Sequence, residues 1–153
     1  MYKKMYIVFS INNQLYAIFY EYVQRISMVE PVVSLSDDSI SRDSSLKSWA
    51  QNKNIIGTIL YDKKKYAVIN VAEVFGIEDC VKSEKDKGLF ILISYKDKNI
   101  VIPVDNILGI YDKLTPTNFK VEGCDFIEQL FCIKNQNDTA FCINIPKLIN
   151  NIL

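Results

Sequence analysis

Residues 54–77, NIIGTILYDKKKYAVINVAEVFGI, decide the fold. An apolar run from Ile55 to Leu60 enters a charged tip, Tyr61-Asp62-Lys63-Lys64-Lys65, and a second apolar run leaves it from Tyr66 to Val71. Two β-rich runs around a short polar tip predict an antiparallel hairpin. Beyond it, Val71 to Phe75 predicts one helical turn stopped by Gly76, since glycine takes the left-handed conformation that ends helices. Asn70 stands just before that turn, where its side chain can accept from free backbone donors. The lysine tip has two readings, a solvated turn or a contact for an acidic partner. Asp62 beside the lysines weakens the second.

The same syntax recurs outward. Met5 to Ile11 alternates, with Ile7, Phe9 and Ile11 on one face and Tyr6, Val8 and Ser10 on the other. Asn12-Asn13-Gln14 turns the chain, and Leu15 to Phe19 returns. Leu89 to Tyr95 and Ile100 to Val104 flank Lys96 to Asn99; Phe126 to Ile133 and Ala140 to Ile145 flank Lys134 to Thr139. Pro103 predicts a strand end or an edge, where a missing donor does no harm. Pro146 suits the first turn of a C-terminal helix that buries Leu148, Ile149, Ile152 and Leu153. Ser34 to Ser48 and Glu78 to Gly88 read as polar loops.

Laid over itself at an offset of 84, the sequence places Ser10 on Ser94, Ile18 on Ile102, Glu21 on Asp105, Val23 on Ile107 and Ile26 on Ile110. An offset of 74 places Ile69 on Ile143 and Asn70 on Asn144. Each half then reads hairpin, turn, hairpin, short helix. The expected fold is all-β: two small SH3-like barrel halves, pseudo-duplicated, with short helices including a C-terminal one. Residues 1–153 form one domain of approximate halves 1–80 and 88–153, which can exchange strands, joined by a linker at 78–88.

Lys+Arg and Asp+Glu number 18 each, so the chain lacks the surplus of positive charge that phosphate backbones select. It has no histidine, which removes the side chain best suited to proton transfer near neutrality and a common metal ligand. Cys80, Cys124, Cys132 and Cys142 show no Cys-x-x-Cys spacing and read as reduced, structural thiols. Cys132 and Cys142 are symmetric about residue 137, so a hairpin centred there sets them face to face. The N-terminus meets polar residues too soon for a secretory signal, and no apolar run is long enough to span a bilayer. The expectation is a cytoplasmic protein, monomeric in isolation, with no membrane insertion and no cofactor or metal.

Catalytic signals are weak. Ser44-Ser45-Leu46-Lys47 matches Ser-x-x-Lys in a polar loop without the companion motifs of that enzyme class. Asn137-Asp138-Thr139 has the form of a glycosylation sequon but reads as a hairpin tip. Asp37-Asp38 has nothing to split its two pKa values. Trp49 and Tyr61 could stack bases, but without surplus charge to track a nucleic-acid backbone. No catalytic residue is expected.

The ordered set YIVFSINNQLYAIFYEYVQRI, IIGTILYDKKKYAVINVAEVFGI, IVIPVDNILGI and AFCINIPKLI resembles the CheW-like domain of bacterial chemotaxis coupling proteins over nearly the whole chain. The resemblance implies a non-enzymatic scaffold that joins the cytoplasmic hairpin of a chemoreceptor to the regulatory domain of a histidine kinase. Gly57 matches the family's hairpin glycine, Val23 the apolar position of its Val-Gln-Glu element, and Val104-Asp105 its Val-Asp-x-Val strand. Asp62-Lys63 falls on the family's Arg-Gly pair, Asn70 on an Asp, and Arg25 on a Glu. Val23, Arg25, Gly57, Asp62, Lys63 and Asp105 are therefore the candidate partner-binding residues. Because three of these depart from the family pattern, a module for another protein partner or for nucleic acid, outside chemotaxis, is the alternative.

Overall fold

The structure is a computed structural model that describes residues 4–28, 33–34, 49, 51–76, 89–112, 114–117, 124–133 and 138–153. The linker at 78–88, Cys80, Asp37-Asp38, the Ser44 to Lys47 motif and Asn137 lie outside the described residues, as does all of the Ser34 to Ser48 loop except Ser34.

Among the described residues twelve strands follow in chain order: β1 Tyr6–Ile11, β2 Gln14–Phe19, β3 Val23–Ser27, β4 Val33–Ser34, β5 Ile55–Tyr61, β6 Lys64–Ile69, β7 Leu89–Tyr95, β8 Lys98–Val104, β9 Asn106–Tyr111, β10 Thr115–Pro116, β11 Ile127–Ile133 and β12 Asp138–Ile143. Two α-helices, α1 at Val71–Phe75 and α2 at Ile145–Ile152, and a 3-10 turn at Tyr20–Tyr22 complete the described elements. The expected hairpins are present, with tighter tips. Asn12-Asn13, Asp62-Lys63 and Lys96-Asp97 are two-residue turns in which both residues have positive φ, between 45° and 67°. Such turns match the right-handed twist of the strands they join.

The strands make two six-stranded sheets, ordered β10-β11-β12-β2-β1-β9 and β3-β7-β8-β6-β5-β4. Each sheet combines strands from before and after residues 78–88. The exchange is reciprocal: β3 pairs with β7, and β9 pairs with β1. The third strand of each half, β3 and β9, goes beyond the hairpin-turn-hairpin reading, because its partner lies in the other half. Parallel contacts β6–β8 and β12–β2 join the hairpins within each sheet.

The internal repeat extends to the irregularities. Gln24 bulges from β3 and Leu108 from β9; Ile56 bulges from β5 and Glu128 from β11. Each bulge flips the face that the following residues present. Ile55 therefore joins the core shared by the two sheets, whereas Ile59 joins a separate cluster with Tyr66, Val68, Phe90, Leu92 and Val101. In β1 the predicted alternation holds, with Ile7, Phe9 and Ile11 in the shared core and Val8 in the first sheet's own cluster.

Two sequence readings are corrected. Cys132 lies opposite Thr139, and Cys142 opposite Gln129, because the hairpin is centred between residues 135 and 136 rather than on 137. Ser34 belongs to the short strand β4, paired with Gly57. Pro103 is near the end of β8, past Val101 where the pairing with β6 stops, so its missing donor has no ladder partner on that side. Asn70 and Asn144 cap α1 and α2, accepting from the backbone N–H of Glu73 at 3.4 Å and Lys147 at 3.1 Å. Gly76 closes α1 at φ 65°. Ile145, Leu148, Ile149 and Ile152 of α2 are buried, and Leu153 packs partly buried against the same core.

Candidate partner-binding surface

Both β6 and β8 leave a hairpin turn, and because they run parallel, with Ala67 beside Ile100, the two turns sit at the same end of the second sheet. That end carries Lys63, Lys64, Lys65, Lys96 and Lys98, all exposed, against Asp62 and Asp97. A chain of zero net charge thus has a locally basic face. In the first sheet the corresponding described turn, Asn12-Asn13, is uncharged.

Arg25 extends this face. It lies on the edge strand β3, opposite Leu92, and its guanidinium stands 5.0 Å from the ring centre of Tyr61 at the end of β5. Strands β3 and β5 are not neighbours in the ladder, so the contact requires the sheet to curl until its edge returns over β5. A guanidinium over an aromatic face is held by the ring quadrupole and by stacking. Tyr61 is itself braced edge-on by Tyr66 at 6.2 Å. Tyr66 is 2% exposed, and its hydroxyl lies 3.4 Å from Ser94 Oγ, which donates to Asn99 Oδ1 at 2.6 Å. Matched by strand position and bulge, Arg25 corresponds to Gly109 and Tyr61, the last residue of β5, to Ile133, the last of β11, so the first sheet has no equivalent pair at these positions.

The six candidate residues separate. Arg25, Asp62 and Lys63 gather at this one end, with Asp62 and Lys63 in the turn that follows Tyr61 directly. Val23 begins the same strand as Arg25, half-buried against the shared core. Gly57 is buried within the ladder, between Ser34 on β4 and Val68 on β6. Asp105 lies apart, between β8 and β9, where its carboxylate accepts the backbone N–H of Asn12 at 2.6 Å.

Local sequence did not single out Lys96 and Lys98, and the offset repeat matches them to the uncharged Asn12 and Gln14. It aligned the two halves, but the parallel contact that sets one half's turn beside the other's is a long-range feature. Exposed apolar side chains also occur on these strands: Ile26 on β3 and Leu60 on β5, which is 66% exposed.

The titratable groups with shifted pKa values lie elsewhere. Burial pushes the Cys142 thiol up to about 12, helped by the nearby Glu128 carboxylate. Burial likewise pushes Tyr16 up to about 12 and raises Tyr6 and Tyr22. All four groups are thereby held neutral, which suits packing. Among the described residues no three ligand-type side chains gather as a metal site, and no helix is long and apolar enough to cross a membrane.

No protein-family model matches the chain, and no curated protein matches it by sequence. In fold it is similar to the crystal structure of the scaffolding protein TtCheW from Thermoanaerobacter tengcongensis, with a TM-score of 0.67 and 19% identity. The similarity covers 93% of this chain and 89% of that one. It establishes the architecture: the chain has a CheW-like fold of two sheets built from a repeated half.

Proposed function

We propose that this protein is a non-enzymatic adaptor of chemotaxis-type signal transduction, linking the cytoplasmic hairpin of a chemoreceptor to the regulatory domain of a histidine kinase. The observation that carries the reading is the fold shared with a scaffolding protein over nearly the full length of both chains. The basic end of the second sheet supplies the kinase-facing surface. Arg25, held over Tyr61, is a pre-ordered cation there, and Asp62-Lys63 forms a tight turn beside it. A partner matched to this surface carries acidic side chains, since complementary charge steers encounter and selects partners.

The test is calorimetric titration of the purified protein with the kinase regulatory domain from the same genome. Micromolar binding that weakens about tenfold in Arg25→Glu and as salt rises supports the reading. Binding unchanged in both Arg25→Glu and Asp62→Arg makes the tip only a turn. No binding by the folded protein removes the kinase.

The local basic face also supports a second reading, a nucleic-acid module. A mobility shift at low salt that Lys96→Glu abolishes would favour it over the kinase.

A further inference from the structure

Away from the basic end, a cavity of about 600 Å3 opens between α1, the start of β11, and the neighbouring strands β2 and β12. Four rings line it. Tyr16 stacks on Phe75 with centroids 5.0 Å apart, Phe141 lies 5.9 Å from Tyr16, and Phe126 lies 5.6 Å from Phe75. The charged residues of the lining are two acids, Glu73 and Asp125. Glu73 is already paired with the exposed Lys53 at 2.9 Å. Asp125 is exposed and has no hydrogen-bond or ion-pair partner among the described residues.

Tyr16 adds a buried polar group to the wall. It is 5% exposed and lines the cavity beside Cys124, yet its hydroxyl has no hydrogen-bond partner among the described residues. A buried tyrosine hydroxyl ordinarily finds one. The cavity thus combines an aromatic wall, an orphan hydroxyl and an acidic mouth, at a volume usual for small-molecule sites.

Each feature excludes a class of occupant. An anion would meet two carboxylates. A neutral hydrocarbon would leave the hydroxyl and Asp125 as they are. A quaternary ammonium would suit the rings but offer the Tyr16 oxygen no N–H. We propose that the cavity binds an arylalkylammonium ion, a small molecule whose aromatic ring enters the Tyr16, Phe75 and Phe126 wall and whose protonated amine meets Asp125 and the Tyr16 hydroxyl oxygen. Ring stacking and cation–π attraction act on one end, and a charge-assisted hydrogen bond on the other. The proposal rests on the cavity alone and stands or falls separately from the adaptor reading.

The experiment is an NMR titration of the full chain with phenethylammonium and with 2-phenylethanol, which keeps the skeleton and replaces the ammonium by a neutral hydroxyl. Phenethylammonium is expected to shift the ring signals of Tyr16, Phe75 and Phe126 saturably and to bind about tenfold more tightly than the alcohol. Asp125→Asn, an exposed and isosteric change, removes that advantage and leaves the alcohol's affinity unaltered. Tyr16→Phe keeps the ring and weakens the amine. Equal binding of amine and alcohol overturns the proposal, as does an amine affinity indifferent to Asp125→Asn. An absence of saturable ring shifts with millimolar phenethylammonium overturns it too.

Discussion

The carboxylate of Asp105 accepts the backbone N–H of Asn12 at 2.6 Å, across 93 residues of chain. The backbone N–H of Asp105 donates in turn to the carbonyl of Ser10 at 2.9 Å. The two bonds latch the β1–β2 turn to the segment that begins β9, so this residue ties a strand pair formed between the halves. Its place in the family-like Val104-Asp105 pair has a structural cause, whatever it does for partners.

Asp105→Ala should therefore lower unfolding stability by about 1 kcal/mol, the size of a charge-assisted bond discounted for its exposure. Asp105→Asn keeps an acceptor and should lose less. Urea denaturation of the three proteins decides it. Unchanged stability together with weakened kinase binding would make Asp105 a contact instead.

The three tight turns make a second case. Lys63 sits at φ 62°, a left-handed conformation that costs a side-chain-bearing residue about 1 kcal/mol and costs glycine little. Lys63→Gly should raise the thermal midpoint while weakening binding to an acidic partner. If the glycine variant is more stable and binds equally well, Lys63 has no role at the surface.

The two helix caps should differ in strength. Asn144 accepts from Lys147 at 3.1 Å, and its own amide donates to Glu128 Oε2 at 3.0 Å. Asn70 accepts from Glu73 at 3.4 Å and starts a shorter helix. Asn144→Ala should cost about 1–2 kcal/mol and Asn70→Ala less, measured by chemical denaturation. Equal losses would show that packing of α2, not its cap, sets the helix.

How much of this was legible in the sequence depends on range. Strand alternation around Ile7, Phe9 and Ile11, the caps Asn70 and Asn144, and the stop at Gly76 are local, and each follows from a side chain acting within a few residues of itself. The repeat was legible because corresponding positions face the same pressure, as with Ser10 and Ser94. That the halves can exchange strands was readable, but not that β3 and β9 are the ones exchanged, since an edge strand looks alike whichever neighbour it joins. The Cys132 and Cys142 facing failed on register, because hairpin symmetry counted from the sequence does not reveal which residue pair closes the hairpin. Of the candidate surface, Arg25, Asp62 and Lys63 were named, but their meeting depends on the curl that carries β3 over Tyr61.

Stability should be flat from pH 6 to 8 and fall in alkali. No histidine is present to titrate in the neutral range. Cys142 is raised from 9.0 to about 12 and Tyr16 from 10.0 to about 12, both chiefly by burial. The unfolded chain thus loses these protons first, so their contribution is whole below pH 9 and is lost as pH rises through 9 to 12. Denaturation midpoints between pH 7 and 11 should decline, and Cys142→Ala should flatten the decline. Alkylation gives a parallel readout: exposed Cys132 should react ahead of buried Cys142.

The reciprocal strand exchange predicts how the chain behaves when cut. A fragment of residues 1–80 contains β3 without its neighbour β7, β1 without β9, and β6 without β8. Residues 88–153 are missing the same partners from the other side. The shared core also mixes both halves, Ile7 and Ile69 from the first with Ile91 and Ile143 from the second. Neither fragment alone can bury that core or pair its strand edges, although each has intact local hairpins. Separately, the fragments should give poorly dispersed amide spectra and no cooperative melt. Mixed at equal concentration, they should form a 1:1 complex with native dispersion, and the full chain nicked within 78–88 should keep its fold. A fragment that melts cooperatively alone would refute the exchange as a folding requirement, because one half would then supply its own edges.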